Sequence, residues 1–313
     1  MIQGISDKDV ERTLIPDFLI VGAMKSATTS LWATLKAHPG IYMTTPKEPH
    51  FFALPEFFNL FSRRHQSTPQ KKLPTSLSEY QSLFEPSGQG QVRGEASASY
   101  FLLSDVVIPR IKELLGDPRI IISLRNPYER CWSEFEMTHG GRARPDPGAY
   151  FVTKARDALS VNRSELPQFI EQSLYASRVR AFLQNFSKVH ILTVDQLTQD
   201  STTTLSGLCD FLGVSTDCLP SAVIVRNTGR GFVLPGTIGM KLFSLMRHHV
   251  PRLKIYLGEK RFFLLKQFAF QRARKRVLMP HEGRKLLRSL FEPDIVELEK
   301  LLQRDFSHWK ERS

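Results

Sequence analysis

A hydrophobic strand, a polar turn and a helix follow one another near the start of this chain, and this unit constrains the fold more than any other feature of the sequence. Asp17 to Val21 predicts a buried strand, and Gly22 to Ala27 predicts a loop. Thr28 to Ala37 predicts a helix, which Pro39-Gly40 ends. A strand that turns directly into a helix is typical of α/β proteins, in which the strands run parallel.

The same order of elements returns later in the chain. Arg119 to Leu124 predicts a second strand, after which Arg125-Asn126-Pro127 leads into a helix that opens at Tyr128 or Glu129. Val189 to Val194 predicts another strand, followed by a helix that Gly213 closes. The predicted fold is therefore α/β, with a P-loop-like, mostly parallel central sheet flanked by helices on both faces. Ligands of such sheets bind at the carboxyl ends of the strands.

The chain lacks repeats, and residues 1–313 are predicted to form a single domain with a polar arm over 1–15 and a basic helical region over 240–290. Its 43 Lys and Arg against 31 Asp and Glu favour anionic ligands. Three widely spaced cysteines predict neither a disulfide framework nor a zinc site, and they favour a reducing, cytoplasmic location. Because no apolar run approaches about 20 residues, no transmembrane segment is predicted.

The loop after the first strand has the composition of an anion site. Its backbone N–H groups and the N-terminus of the following helix can converge on a phosphate, and Lys25 adds a positive charge. The candidate phosphate-binding residues are Gly22, Lys25, Ser26, Ala27, Thr28, Thr29 and Ser30. The spacing of a Walker loop is missing, which disfavours a nucleoside triphosphatase.

A second anion site is predicted where the second strand ends. Arg125 emerges at the carboxyl end of that strand, and Ser133 follows eight residues later, about two turns into the next helix. A guanidinium can hold two oxygens of a phosphate monoester while a hydroxyl donates to the third. Arg130, on the same helix, either assists or is solvated.

These strings resemble those of a known family. Pro16 to Thr29 is similar to the 5′-phosphosulfate loop of the sulfotransferases that depend on 3′-phosphoadenosine 5′-phosphosulfate (PAPS), and Arg125 to Ser133 is similar to their 3′-phosphate motif. Lys47 to Phe52 resembles a turn of the heparan sulfate and related bacterial branch, and Phe291 to Trp309 also reads like that branch. The resemblance implies PAPS as co-substrate, adenosine 3′,5′-bisphosphate as product and no metal.

The resemblance also implies roles for individual residues. Glu48 would be the general base of an in-line displacement and Lys25 would stabilise the departing phosphate oxygen, while His50 is the rival base. Gly229 and Arg230 lie in a Gly-Arg-Gly turn that allows close backbone approach to the 3′-phosphate.

The acceptor and two other functions remain open at this level. Ala96 stands where glycan-modifying relatives often carry lysine, which disfavours a glycosaminoglycan acceptor. The predicted acceptor is a hydroxyl or amine of either a small natural product or a saccharide. The basic stretch over 241–288 is a solvated face, an acceptor lid, or a surface for peripheral membrane or polyanion contact. The alternatives are a nucleic-acid or polyanion binding module, although no nucleic-acid partner is expected, and a small-molecule kinase that needs a magnesium-binding acid at a strand end.

Overall fold

A computed structural model describes residues 14–59, 73–140, 146–219, 223–225, 232–233, 274–275 and 277–311. The described residues fall into two compact units. Unit 1 is drawn from residues 1–125 and 177–226, and unit 2 from residues 126–176 and 227–313. The polar arm over 1–13 and most of the basic region lie outside the described residues, and the single-domain organisation stays a prediction.

Unit 1 contains a five-stranded parallel sheet. Its strands are β1 (Phe18–Gly22), β2 (Ile41–Met43), β3 (Val92–Ala96), β4 (Arg119–Leu124) and β5 (Val189–Thr193). They lie in the order β2-β3-β1-β4-β5, and each neighbouring pair is parallel. The predicted fold class is confirmed. β1, β4 and β5 match the predicted strands, whereas the short or polar β2 and β3 were not predicted.

Helices follow or connect these strands. They are α1 (Thr28–Lys36), α2 (Leu77–Ser82), α3 (Ser99–Leu102), α4 (Ser104–Leu115), α5 (Pro127–His139), α6 (Pro147–Asp157), α7 (Gln168–Glu171), α8 (Ala176–Asn185), α9 (Val194–Gln199), α10 (Ser201–Leu212), α11 (His281–Leu302) and α12 (Ser307–Glu311). The described residues also include three short 3₁₀ helices, which span Phe51–Ala53, Ala158–Ser160 and Arg163–Glu165. Within the described residues, none of the helices has the length and apolar character needed to cross a membrane.

The core of unit 1 forms where the apolar faces of α1 and α10 meet the sheet. Phe18 and Ile20 of β1 pack with Leu31 and Leu35 of α1, and all four are buried. Because α1 repeats its leucines four residues apart, one face of the helix covers the strands while its first turn stays at the edge of the sheet.

The strand order reverses next to β1. From β1 the chain passes through α1 to β2 on one side of the sheet, and from β4 it eventually reaches β5 on the other side. In a parallel sheet, the two loops that leave in opposite directions open a crevice between the carboxyl ends of their strands. The loops after β1 and β4, which begin with the Lys25 turn and Arg125, therefore start at this crevice.

Unit 2 is mainly helical. Asn126 caps α5 by accepting a hydrogen bond from the backbone N–H of Tyr128, and Pro127 takes the first helical position, so the helix opens one residue earlier than predicted. Phe232–Val233 and Arg274–Lys275 form a short antiparallel pair. Arg274–Lys275 lies within the region over 240–290 that was predicted to be helical, in which the described helix α11 begins at His281.

Candidate functional site

The turn after β1 is anchored to β4 at both ends. The backbone N–H of Ala23 donates to the carbonyl oxygen of Ser123 at 2.7 Å, and the Ser123 hydroxyl donates to the carbonyl oxygen of Ser26 at 2.6 Å. Ser123 is completely buried and lies between three isoleucines and a leucine of β4. One buried serine therefore fixes the path of the turn, and its only signal in the sequence is a polar residue in a run of isoleucines.

The backbone of this turn is arranged for an anion. Lys25 and Ala27 have φ values of 68° and 60°, in the left-handed region that residues other than glycine rarely adopt. Ala27 precedes the helical Thr28, and such an alternation of left- and right-handed residues points successive N–H groups into one concavity. No side chain caps α1 and its first turn has no acidic residue, so the helix N-terminus can accept an anion.

The side chains of the turn add polar groups to this concavity. Ser26, Thr28 and Ser30 are buried, while Lys25 and Thr29 are partly exposed. The Ser26 hydroxyl is fully buried and has no hydrogen-bond partner among the described residues. An unpaired buried hydroxyl costs about 1–3 kcal/mol. A bound phosphate oxygen would satisfy it, so the turn fits a phosphate group.

Gly22 is required where β1 enters the turn, because a Cβ atom at this position would collide with Cβ of Phe101. We expect Gly22→Ala to lower the free energy of unfolding by about 1–3 kcal/mol, the usual range for overpacking in a rigid interior. Urea unfolding followed by circular dichroism measures this loss. Gly207→Ala is the matched control, since a Cβ there meets nothing within 4 Å, and an equal loss in both variants would contradict the expectation.

The second turn begins at the carboxyl end of β4. Arg125 follows this strand directly and is partly buried. Because β4 is the hydrogen-bonded neighbour of β1, the two turns begin about 5 Å apart, one strand spacing. Ser133 lies on α5 in unit 2 and is partly buried, and its role stays a prediction. Gly229 and Arg230 lie outside the described residues.

Arg130 is not a solvated residue. It is completely buried in unit 2, where its guanidinium donates to the carbonyl oxygen of Phe169 at 3.1 Å and to the side-chain oxygen of Gln172 at 2.6 Å. Glu134 lies 3.8 Å away on the same helix. These contacts join α5 to α7, so Arg130 has a structural role that the sequence pattern did not indicate.

The third turn carries Glu48 and His50. The backbone N–H of Glu48 donates to the carbonyl oxygen of Ala96 at 3.0 Å, which places this turn at the carboxyl end of β3. Ala96 is in register with Ile20 of β1. The Glu48 turn and the Lys25 turn therefore leave the same edge of the sheet.

The side chains of this turn form a polar cluster. The Lys47 ammonium lies 2.5 Å from Oε1 of Glu48, and Nε2 of His50 lies 3.9 Å from Oε2. The side chain of Glu48 is 39% exposed and that of His50 is 9% exposed. The His50 ring stacks on Phe57 with 3.7 Å between centroids, and its Nδ1 shares a hydrogen bond of 2.7 Å with the Ser99 hydroxyl. The Glu48 carboxylate is thus the more accessible of these two side chains, and the His50 ring is the more constrained.

Backbone strain is concentrated in these turns. Among the described residues, the non-glycine residues with positive φ are Lys25, Ala27, Glu48, His50 and Gln303. Four of these five residues belong to the turns at the carboxyl edge of the sheet. Strained backbone of this kind persists where the surrounding structure imposes it and is frequent at functional sites.

The structure thus brings together the Lys25 turn, the Glu48 turn and Arg125 at one edge of unit 1. Sequence reasoning missed Glu95, which is completely buried in β3 and bonded to hydroxyl groups beneath the Glu48 turn. A carboxylate within a strand is the signal that could have drawn attention to it. No group of three or more His, Cys, Asp and Glu side chains suitable for a metal ion occurs in the described part of the chain.

Comparison with known proteins places this site in a family. Residues 16–217, more than half of the chain, match the model of the sulfotransferase family. This match spans the three turns and Ser133. A sulfotransferase from Alicyclobacillus acidocaldarius has a similar structure, with a TM-score of 0.64, 24% sequence identity, and coverage of 95% of this chain and 99% of that one. This structural likeness supports the fold.

Two curated relatives have names that describe enzymes acting on heparan sulfate. Heparan sulfate glucosamine 3-O-sulfotransferase 3A1 of Mus musculus is 26% identical over 204 residues, 64% of this chain and 46% of the relative. Bifunctional heparan sulfate N-deacetylase/N-sulfotransferase 3 of Homo sapiens is 28% identical over 228 residues, 70% of this chain and 24% of the relative. The chain thus matches less than half the length of either protein. The family model, which matches more than half of the chain, shows that the chain belongs to the sulfotransferase family.

Proposed function

We propose that this chain transfers a sulfuryl group from PAPS to a hydroxyl or amine of a saccharide or small natural product, with Glu48 as the general base. The observation that carries this proposal is the common location of three turns, with the Lys25 and Arg125 turns following neighbouring strands and the Glu48 turn leaving the same edge of the sheet. Two cationic turns suit a nucleotide that is anionic at both ends.

The chemistry divides among residues of unit 1. PAPS supplies a sulfuryl group joined to a phosphate leaving group. The Lys25 turn would bind the 5′ end and stabilise negative charge on the departing oxygen, and Arg125 would bind the 3′-phosphate. Ser133, Gly229 and Arg230 remain predicted partners of the 3′-phosphate.

Glu48 is the better candidate for the base than His50. Its carboxylate is partly exposed, whereas the His50 ring is buried, stacked and hydrogen-bonded to Ser99. The Glu48 carboxylate also lies 2.5 Å from the Lys47 ammonium, and a carboxylate is a group that can accept a proton from the acceptor. His50, whose Nε2 lies 3.9 Å from Oε2 of Glu48, would help to orient the carboxylate.

The names of the relatives support a saccharide acceptor. The 3-O-sulfotransferase is named for glucosamine in heparan sulfate, and the bifunctional relative for N-sulfation. Ala96, the last residue of β3, is uncharged and completely buried, so it offers no cation to an anionic polysaccharide. We therefore place a short or weakly charged saccharide ahead of a long polyanion. The cytoplasmic location stays a prediction.

The two alternatives have less support. A kinase would need a magnesium-binding acid at the end of β4. The residue that follows Leu124 at this position is Arg125, which is a cation. The polyanion-binding alternative depends on the stretch over 241–288, most of which lies outside the described residues.

A transfer assay tests the proposal directly. The protein is incubated with PAPS labelled in its sulfate and with separate acceptors: a glucosamine oligosaccharide with a free amine, its N-acetylated form, and a phenol. We expect the label in a product whose mass rises by one sulfuryl group. When ATP replaces PAPS, we expect no phosphorylated product. Absence of transfer to every acceptor, or transfer of phosphate from ATP, would contradict the proposal.

Removal of the cationic side chain from either turn should weaken nucleotide binding. We expect Lys25→Ala and Arg125→Ala each to raise the Kd for adenosine 3′,5′-bisphosphate by about 10- to 100-fold, since a hydrogen bond to a charged group contributes about 1.5–3 kcal/mol. Isothermal titration calorimetry measures this effect. Lys36→Ala, at the other end of α1, and Arg119→Ala, at the other end of β4, are matched controls. Equal affinity in all four variants would remove the support for both turns.

A further inference from the structure

We propose that Glu95 is a positioning residue for sulfuryl transfer, because its buried carboxylate holds the turn from Glu48 to Phe52 through a set of hydroxyl groups. This inference rests on the proposed function, since Glu48 is the group that the turn presents. Glu95 contacts neither the Lys25 turn nor Arg125 through any hydrogen bond recorded among the described residues.

Glu95 receives hydrogen bonds from three hydroxyl groups. The Ser97 hydroxyl donates to its Oε1 at 2.6 Å, and the Tyr80 hydroxyl donates to its Oε2. Tyr100 is also hydrogen-bonded to this carboxyl group. Burial raises the pKa of Glu95, while the hydrogen bonds from these three hydroxyls oppose the rise. A fully buried carboxylate is costly unless it is well hydrogen-bonded, so the three donors are what make this position tolerable.

Each of the three donors also contacts a different residue of the turn. The backbone N–H of His50 donates to the Ser97 hydroxyl at 3.0 Å, and the backbone N–H of Phe52 donates to the Tyr100 hydroxyl at 3.3 Å. The Tyr80 ring stacks on the Phe51 ring with 4.2 Å between centroids. The turn is therefore linked to Glu95 at three consecutive residues.

The direction of these hydrogen bonds depends on the carboxylate. A serine or tyrosine hydroxyl has one proton to donate, and an ionised carboxylate can only accept. Ser97 and Tyr100 therefore give their protons to Glu95, which leaves their oxygen lone pairs for the backbone N–H groups of His50 and Phe52. A side chain that donates at position 95 would disturb this order.

The turn needs such support because its backbone is strained. Glu48 and His50 have φ values of 63° and 55°, and the left-handed conformation costs about 1–2 kcal/mol for each such residue. Without the contacts to Ser97 and Tyr100, the turn would relax and the Glu48 carboxylate would lose its fixed position. Misplacement by about 1 Å is enough to slow a reaction about 100-fold.

The test compares Glu95→Gln with wild type. The amide nitrogen of glutamine can donate where the carboxylate could only accept, while the size of the side chain is kept. We expect kcat for transfer from PAPS to fall about 10- to 100-fold, with the Kd for adenosine 3′,5′-bisphosphate unchanged. Hydrogen exchange read by mass spectrometry should show faster exchange in a peptide covering residues 48–54.

Ser97→Ala and Asp294→Asn complete the design. We expect the double variant of Glu95→Gln with Ser97→Ala to lose little more kcat than the more damaging single variant, because both act through one linkage. Asp294→Asn replaces another carboxylate that accepts backbone N–H groups, in unit 2, and should leave both kcat and exchange over 48–54 unchanged.

Two results would overturn the proposal: wild-type kcat in Glu95→Gln, or exchange over residues 48–54 that matches wild type. Failure of the proposed function looks different, since the wild-type protein itself would then transfer nothing from PAPS. In that case faster exchange in Glu95→Gln would still establish that the carboxylate holds the turn, and unchanged exchange would overturn it.

Discussion

Replacement of Glu48 by glutamine should lower kcat for sulfuryl transfer by about 10²- to 10⁴-fold, the usual contribution of a general base. The amide keeps the size of the carboxylate but cannot take a proton from the acceptor. Since Glu48 lies in the turn after β2 and not in the two cationic turns, the Kd for adenosine 3′,5′-bisphosphate should stay within about twofold of wild type. Steady-state kinetics and calorimetry measure the two quantities.

His50→Asn separates the two candidates for the base. The asparagine side chain can keep a hydrogen bond to Ser99 but has no group that titrates near neutral pH. We expect a smaller loss of kcat in this variant than in Glu48→Gln. Full activity in Glu48→Gln together with a large loss in His50→Asn would assign the role to His50. Glu79→Gln is the matched control, because Glu79 of α2 has a partly exposed carboxylate that accepts hydrogen bonds from Thr75.

Asp294 should make the stability of the protein depend on pH. Its carboxyl group accepts the backbone N–H groups of Tyr175 at 2.6 Å and Ala176 at 3.2 Å, at the start of α8. Burial raises the pKa of Asp294 from 3.8 to about 6, and these two hydrogen bonds and the charge of Arg163 only partly oppose the rise.

The sign of this effect follows from proton binding. Because the pKa is higher in the folded than in the unfolded chain, the folded state binds more protons between about pH 4 and pH 6. The contribution of Asp294 is fully present below pH 3.8 and is lost as the pH rises through about 6. The free energy of unfolding should therefore fall by about 3 kcal/mol over this range, at 1.36 kcal/mol per pKa unit.

Asp294→Asn isolates this contribution from those of other groups. Urea unfolding at pH 4 and pH 6.5 should show a stability difference that is about 2 kcal/mol smaller in the variant, because the carboxyl group of the unfolded chain is already partly ionised at pH 4. Asp305→Asn is the control, because hydrogen bonds from Ser307 lower the pKa of the exposed Asp305 below this range. The same pH dependence in wild type and Asp294→Asn would show that Asp294 does not titrate as its burial requires.

The sequence was most informative where elements are long and apolar. The runs of Val, Ile and Leu that became β1, β4 and β5 read directly as strands, because a strand covered on both faces needs little else. β2 has three residues, and β3 contains arginine, glycine and glutamate, so neither gives such a pattern. Their place in the sheet comes from pairing with each other and with β1.

The order of residues alone determined the α/β class, the strand-to-helix turns, and the presence of Lys25, Glu48 and Arg125 in turns of anion-binding character. These are local properties, because they depend on the hydrophobic pattern and the turn-forming residues of short segments. Only the tertiary structure decided that Ser123 anchors the first turn, that Arg130 is buried, and that Glu95 lies beneath the Glu48 turn. Such contacts join residues that lie far apart in the chain, and burial and hydrogen-bond partners exist only once the strands have paired.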